Sequence, residues 1–192
     1  MLSAAEWIYA REMQRRRARW QNAPQKIEDC RLVSVGNLSV GGTGKTPAVQ
    51  FLARHFRGRE KRVAIVARGY GGTLSRPGAI VSDGNRVLIS AREAGDEPLL
   101  HARALPEIPV LIGRDRVVAA RKARDEFGAQ IVILDDAFQF WSLARDLDLD
   151  LLDARRPLDN GHLLPRGRLR EESGALRRAS GILLTRADAA TP

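Results

Sequence analysis

Short, nearly continuous apolar runs punctuate this chain. Arg31-Leu-Val-Ser-Val-Gly36, Arg62-Val-Ala-Ile-Val-Ala67, Pro109-Val-Leu-Ile-Gly113 and Gln130-Ile-Val-Ile-Leu-Asp-Asp136 are each too short for a buried helix and rich in β-branched residues. Each predicts a strand covered on both faces. Residues 146–153, which alternate Leu and Asp before Leu151-Leu-Asp153, and 181–185, Gly-Ile-Leu-Leu-Thr, predict two more. Helix-start signals lie between them, predicting helices from Pro47 to about Arg57, from Gly95-Asp-Glu-Pro98 to about Leu105, and from Arg114-Asp-Arg116 to about Phe127. Two apolar stretches around Asp83-Gly84-Asn85 predict a hairpin over 79–89. Alternating strands and helices predict an α/β fold: a mainly parallel sheet, helices on both faces, and ligands at the carboxyl ends of the strands.

The flanks read differently. Residues 3–20 predict an N-terminal amphipathic helix with Trp7, Ile8 and Tyr9 near one end, Met13 and Trp20 further on, and Arg15, Arg16, Arg17 and Arg19 near the other. Such a helix can lie on an anionic membrane surface, or it can pack its aromatics on its own domain. Residues 21–30 read as a polar linker containing Pro24, dividing the chain into an N-terminal helix and linker, 1–30, and a core, 31–192. A long arginine-rich loop is expected at 154–172, a length that is usually functional or disordered. The chain ends at Pro192 without a closing helix.

The first strand runs into Ser39-Val-Gly-Gly-Thr-Gly-Lys-Thr-Pro47. A strand, a glycine-rich turn and a helix start in that order make a phosphate-binding loop. Gly41, Gly42 and Gly44 let the backbone curl so that N–H groups around Thr43 point at an anion, and the helix adds the positive end of its dipole. Lys45 is then expected at the β/γ-phosphates and Thr46 at Mg²⁺. Ser39 stands where the usual pattern has its first glycine, yet the chain holds only four lysines among its 32 basic residues, so a lysine in this slot stands out. The strand ending in Asp135-Asp136 resembles a Walker-B strand, whose terminal carboxylate faces the metal. Arg68 in Arg68-Gly-Tyr-Gly-Gly72 either meets phosphate or is solvated on a flexible turn. Asp96 reads either as a helix N-cap or as a base for a substrate hydroxyl.

Composition narrows the partners. The 192 residues, 44% of them hydrophobic, suit one domain or one and part of another with a sizeable core. A single cysteine, Cys30, excludes an internal disulfide framework and fits a reducing compartment, and three scattered histidines give no zinc pattern. No apolar run is long enough to span a bilayer, and the first ten residues lack the order of a secretory signal. A cytoplasmic protein is expected. The formal charge of +9 favours anionic partners, whereas 5% aromatics and the absence of RNA-binding or zinc-finger signatures argue against nucleic acid.

The ordered set Ser34-Val-Gly-Asn-Leu-Ser-Val-Gly-Gly-Thr-Gly-Lys-Thr-Pro47, Arg68-Gly-Tyr-Gly-Gly72, Gly95-Asp-Glu-Pro98, Gly113-Arg-Asp-Arg116, Leu134-Asp-Asp-Ala-Phe-Gln139, Asn160-Gly-His-Leu-Leu-Pro165 and Leu169-Arg-Glu171 resembles the tetraacyldisaccharide 4'-kinase family. The resemblance runs from the N-terminal helix to the end of the chain. It implies a P-loop core with a smaller C-terminal lobe, and ATP- and Mg²⁺-dependent phosphorylation of the 4'-hydroxyl of a lipid disaccharide 1-phosphate at the cytoplasmic face of the inner membrane. On that reading Asp96 acts near the attacking hydroxyl, Asp135 and Asp136 serve Mg²⁺, and Lys45 and Gln139 belong to the catalytic site. Arg68, Arg116 and Arg170 are candidates for substrate contacts. Where the family usually reads Asp-Asp-Gly-Phe-Gln-His, this chain has Ala137 and Phe140, and Arg166 and Arg168 replace the family's Ala and Pro. Family members extend well past 192 residues, and their later histidine that partners the catalytic aspartate has no counterpart here. A nucleotide-dependent switch at the membrane is the alternative, since P-loop folds serve both roles.

Overall fold

The computed structural model describes residues 3–20 and 23–189. In chain order it contains α1 (Ala4–Ala18), β1 (Arg31–Gly36), α2 (Lys45–Arg57), β2 (Val63–Ala67), β3 (Ala79–Ser82) and α3 (Ala91–Ala94). Then follow α4 (Asp96–Ala104), β4 (Val110–Ile112), α5 (Arg116–Phe127), β5 (Ile131–Asp135), β6 (Leu147–Asp153) and β7 (Gly181–Thr185), with 3₁₀ turns at Ser173–Arg178 and Ala187–Ala189. The expected elements are present within a residue or two at most ends. The hairpin over 79–89 is reduced to β3, a turn at Asp83–Arg86 and a single bridge from Ser82 to Val87.

The sheet has the order β3-β4-β2-β5-β1-β6-β7, and every neighbouring pair is parallel except β3 with β4. Alternate strand residues bury on opposite faces, because successive side chains point to opposite sides of a pleat. On one face Val33, Val35, Ile65 and Ile133 pack with Val49 and Ala53 of α2 and Leu99 and Ala102 of α4. On the other, Leu32, Val66 and Leu134 pack with Val117, Ala120 and Ala123 of α5. Asp115 caps α5 by accepting from the Val117 and Val118 N–H groups, which turns the helix back onto the sheet.

The linker is less polar in its packing than in its letters. Ile27 and Cys30 are buried in the α5 layer, and Gln25 bridges Leu143 through backbone hydrogen bonds; residues 21–22 of the expected linker lie outside the described residues. Nor is α1 a separate appendage. Ala10 is buried with Phe138, Leu163, Leu169 and Ala175, so the helix lies against the 154–172 loop and the 3₁₀ turn that follows it. Buried Glu6 accepts from Leu163 N at 2.9 Å and contacts His162 Nδ1 at 3.1 Å. The Asn160-Gly-His-Leu-Leu-Pro165 motif therefore docks α1. Trp7 and Ile8 point outward, 51% and 62% exposed.

Asp148 and Asp150 of β6 face inward, whereas Asp153 at its end pairs with Arg155 and Arg186. Asp148 pairs with Arg145 at 3.0 Å, while both carboxylate oxygens of Asp150 are buried without a hydrogen-bond partner. Burial raises Asp150 to about 7.

Candidate active site

β1 ends at Gly36, and the chain then turns through the glycine-rich loop into α2. Gly41 and Gly44 have positive φ, 117° and 84°, a region that costs residues bearing a Cβ, whereas Gly42 does not. The left-handed turns of the loop are therefore made at Gly41 and Gly44. Gly44 is the N-cap of α2 and offers no side-chain cap, so first-turn N–H groups stay open to an anion. Lys45 Nζ donates to Asn37 Oδ1 at 3.0 Å and lies 3.5 Å from Asp136 Oδ1.

β5 lies between β1 and β2, with Val35 opposite Asp135, so parallel pairing delivers the acidic strand end beside the loop. Asp136 follows β5 with φ 51°, a left-handed conformation that Asp tolerates better than most residues. Burial by itself would raise Asp136, but Lys45 and Arg170 beside it more than offset this and hold the carboxyl below the usual range. Gln139 Nε2 donates to Asn37 O at 3.1 Å, and its Oε1 accepts from Arg170 at 3.3 Å. Asn37 thus ties Lys45 to Gln139.

Asp96 is the first residue of α4, and Gly95 is the N-cap. The N-cap reading of Asp96 is corrected by one residue. Gly95 has φ 86°, and a Cβ there would come 2.5 Å from Tyr70 O. Only glycine permits this approach, which presses the Arg68–Gly72 turn against the start of α4 and sets Arg68 near Asp96. Partial desolvation raises Glu97 above the usual carboxylate range, and Asp135 and Asp136 add to the shift.

One cleft of roughly 870 Å³ collects Gly41, Lys45, Arg68, Asp96, Asp135, Asp136, Gln139, Arg116 and Arg170. All three expected catalytic residues, all three substrate arginines and both acidic metal candidates therefore converge. Gly42 and Thr43 instead line a neighbouring polar cavity of roughly 400 Å³ with Arg155, Arg156 and Arg168, and Thr46 lines neither. Arg116 is buried; that burial lowers it to about 10, Asp136 opposes the shift, and the group stays cationic at neutral pH. Its guanidinium sits 5.0 Å from the centre of the Phe140 ring and donates to Asp136 O at 3.1 Å. Phe140 thus supports the arginine where the family usually has a histidine.

The letters also passed over several residues. Tyr9, Met13 and Arg16 of α1 form part of the cleft wall, as do Tyr70, Glu97 and Arg114. Asn37, Tyr70, Glu97 and Arg114 lie inside the ordered motifs, which is the signal for them, whereas nothing in the α1 sequence places Tyr9, Met13 and Arg16 at the cleft. Among the described residues, no group of three or more His, Cys, Asp or Glu side chains could form a protein metal cage. Asp135 Oδ1, however, is buried without a hydrogen-bond partner, and together with Asp136 it fits Mg²⁺ held by one or two carboxylates with phosphate oxygens completing the shell.

The chain is similar to known proteins in sequence and in fold. Curated proteins named tetraacyldisaccharide 4'-kinase from Desulfatibacillum aliphaticivorans and Syntrophus aciditrophicus are 50% and 52% identical over 159 and 157 residues, 83% and 81% of this chain. The alignments take in 43% and 42% of those relatives, so the chain spans less than half the length of the curated relatives it matches. The crystal structure of LpxK from Aquifex aeolicus in complex with ATP superimposes with a TM-score of 0.86 at 36% identity, covering 95% of this chain and 57% of that one. The sequence profile described as LpxK, tetraacyldisaccharide-1-P 4'-kinase, matches residues 1–192. With the loop, the acidic strand end and Asp96 gathered in one cleft, the chain belongs to the tetraacyldisaccharide-1-P 4'-kinase family.

Proposed function

We propose that this chain carries the nucleotide and acceptor site of an ATP-dependent kinase that phosphorylates the 4'-hydroxyl of a tetraacyldisaccharide 1-phosphate, a step of lipid A biosynthesis. The observation that carries this reading is the convergence of Lys45, Asp96, Asp135 and Asp136 on one arginine-lined cleft. The open N–H groups at the start of α2 and Lys45 bind the triphosphate. Asp135 and Asp136, with Thr46 of α2, are the residues that would hold Mg²⁺, whose charge neutralises phosphate oxygens when it is bound. Asp96, exposed at the start of α4, orients the sugar hydroxyl and takes its proton as the oxygen attacks the γ-phosphorus and the bond from that phosphorus to the bridging oxygen breaks, releasing ADP. Arg68, Arg116 and Arg170 supply fixed positive charge for the substrate phosphates and for charge that grows during transfer, and Gln139 holds Arg170 in place. A nucleotide-dependent switch would not need a carboxylate poised across the cleft from the phosphate loop.

The substrate's acyl chains set where the protein works. Each buried CH₂ is worth about 0.8 kcal/mol, so the lipid stays in the bilayer and the protein comes to it. We infer that α1 docks on the cytoplasmic face of the inner membrane, because Trp7 and Ile8 are exposed on the same helix that lends Tyr9, Met13 and Arg16 to the cleft. No helix among the described residues is long and apolar enough to cross a membrane.

Label transfer from γ-radiolabelled ATP to the lipid disaccharide tests the reading, with Lys45→Ala as control. It is measured for the chain alone and for the chain fused to the remaining part of the Desulfatibacillum aliphaticivorans relative. Lys45-dependent transfer in either form supports the kinase. Hydrolysis of ATP without transfer in both forms, stimulated only by a protein partner, would overturn it in favour of a switch.

A further inference from the structure

α4 presents two different groups to the site. Asp96 opens the helix in the cleft, while His101, further along it, is fully buried, with Nε2 3.0 Å from Asp135 Oδ2. A carboxylate only accepts, so the imidazole hydrogen is on Nε2 and His101 donates. Nδ1 has no partner. Across the same carboxylate, Asp135 Oδ1 is buried and also unpartnered.

A partnered Oδ2 beside an unpartnered Oδ1 is the arrangement of a metal ligand steadied from behind. We propose that His101 is a positioning residue of the cation site: it fixes the Asp135 carboxylate so that Oδ1 stays available to a divalent cation bound with the nucleotide phosphates. It also connects the helix that carries Asp96 to the strand that carries Asp135. Residues that hydrogen-bond a metal ligand without touching the metal change metal affinity by roughly 10- to 100-fold when removed. The inference rests on the reading of Asp135 as a carboxylate on the metal side of the site.

The test compares His101→Leu, which keeps an apolar volume and loses the donor, with His101→Gln, whose amide retains an N–H at similar reach. Mn²⁺ affinity of the protein in the presence of ATP is read by electron paramagnetic resonance, ATP affinity in EDTA by calorimetry, and stability by Tm. His101→Leu is expected to weaken Mn²⁺ binding about tenfold or more. ATP affinity in EDTA is expected to stay unchanged, and His101→Gln to recover most of the loss. Wild-type Mn²⁺ affinity in His101→Leu would overturn the inference. So would equal losses in both variants that follow Tm, since His101 would then be a packing residue. If wild-type protein binds ATP but gains nothing from Mn²⁺, the reading of Asp135 fails first and takes the inference with it.

Discussion

Arg170 Nη1 lies 2.9 Å and 3.0 Å from the two carboxylate oxygens of Asp136. A guanidinium shared over both oxygens competes with any metal ion for the same lone pairs. Arg170→Ala is therefore expected to leave Mn²⁺ binding without nucleotide undiminished, while label transfer falls on the order of ten- to a hundredfold through loss of fixed positive charge at the phosphates. Mn²⁺ titration beside the transfer assay checks both halves. A parallel loss of Mn²⁺ binding would show that Arg170 organises Asp136 rather than competing for it.

The two acidic strand-end residues should differ sharply from an acidic turn residue. Asp136 has left-handed backbone, so Asn is the fitting replacement, because it tolerates that conformation and removes only the charge. Asp135→Asn and Asp136→Asn are expected to abolish most of the Mg²⁺-dependent gain in ATP affinity. Asp83→Asn should leave it intact, since Asp83 accepts from Asn85 N and Arg86 N in the turn after β3. Calorimetry with and without Mg²⁺ decides, and equal losses in all three would remove the metal role.

The exposed face of α1 can be altered without undocking the helix. Arg11 lies over the Trp7 ring at 5.1 Å, so cation and indole form one outward patch. Trp7→Ser with Ile8→Ser, and separately Arg15→Ser with Arg19→Ser, should weaken binding to anionic vesicles and leave ATP affinity unchanged. Each arginine contributes roughly 1 kcal/mol near such a surface, and the effect fades with salt. Unaltered vesicle binding in both pairs would move the docking surface elsewhere.

Glu6 anchors the buried side of the same helix. Glu6→Ala would strip the Leu163 N–H of its acceptor inside the fold, and an unsatisfied buried donor is costly. Tm is expected to drop by several degrees. Glu6→Gln, which still offers a carbonyl oxygen, should recover part of it. Calorimetric Tm values rank the three proteins.

Asp150 gives stability a pH slope. The folded protein keeps the Asp150 proton up to about 7, while the unfolded chain releases it near the ordinary value of 3.8. Between those values the folded state binds more protons, so this group's contribution to stability falls as pH rises. Burial is the main cause, and Asp148, Arg178 and Glu171 also act on the group. Asp150→Asn should therefore be most stabilising relative to wild type at pH 8 and least at pH 4, read as the difference in Tm. An identical pH profile in the two proteins would mean that Asp150 ionises normally.

Whatever depends on adjacent residues was legible in the letters. The run from Arg31 to Pro47 carries its own strand, turn and helix start, because glycine freedom and β-branched packing act within a few bonds. The acidic end of β5 and the opening of α4 were readable for the same reason, to within a residue at Asp96. What the letters left open depends on which strands became neighbours. Strand order, with β5 between β1 and β2, decides that Asp135 meets the phosphate loop. The return of the 154–172 loop decides that Arg170 reaches Asp136 and that α1, held by Glu6, walls the cleft with Tyr9 and Arg16. His101 and Asp150 carry no local sign of their settings, since an unpartnered nitrogen or a raised carboxylate pKa arises only when burial removes water from a polar group. That removal belongs to tertiary packing.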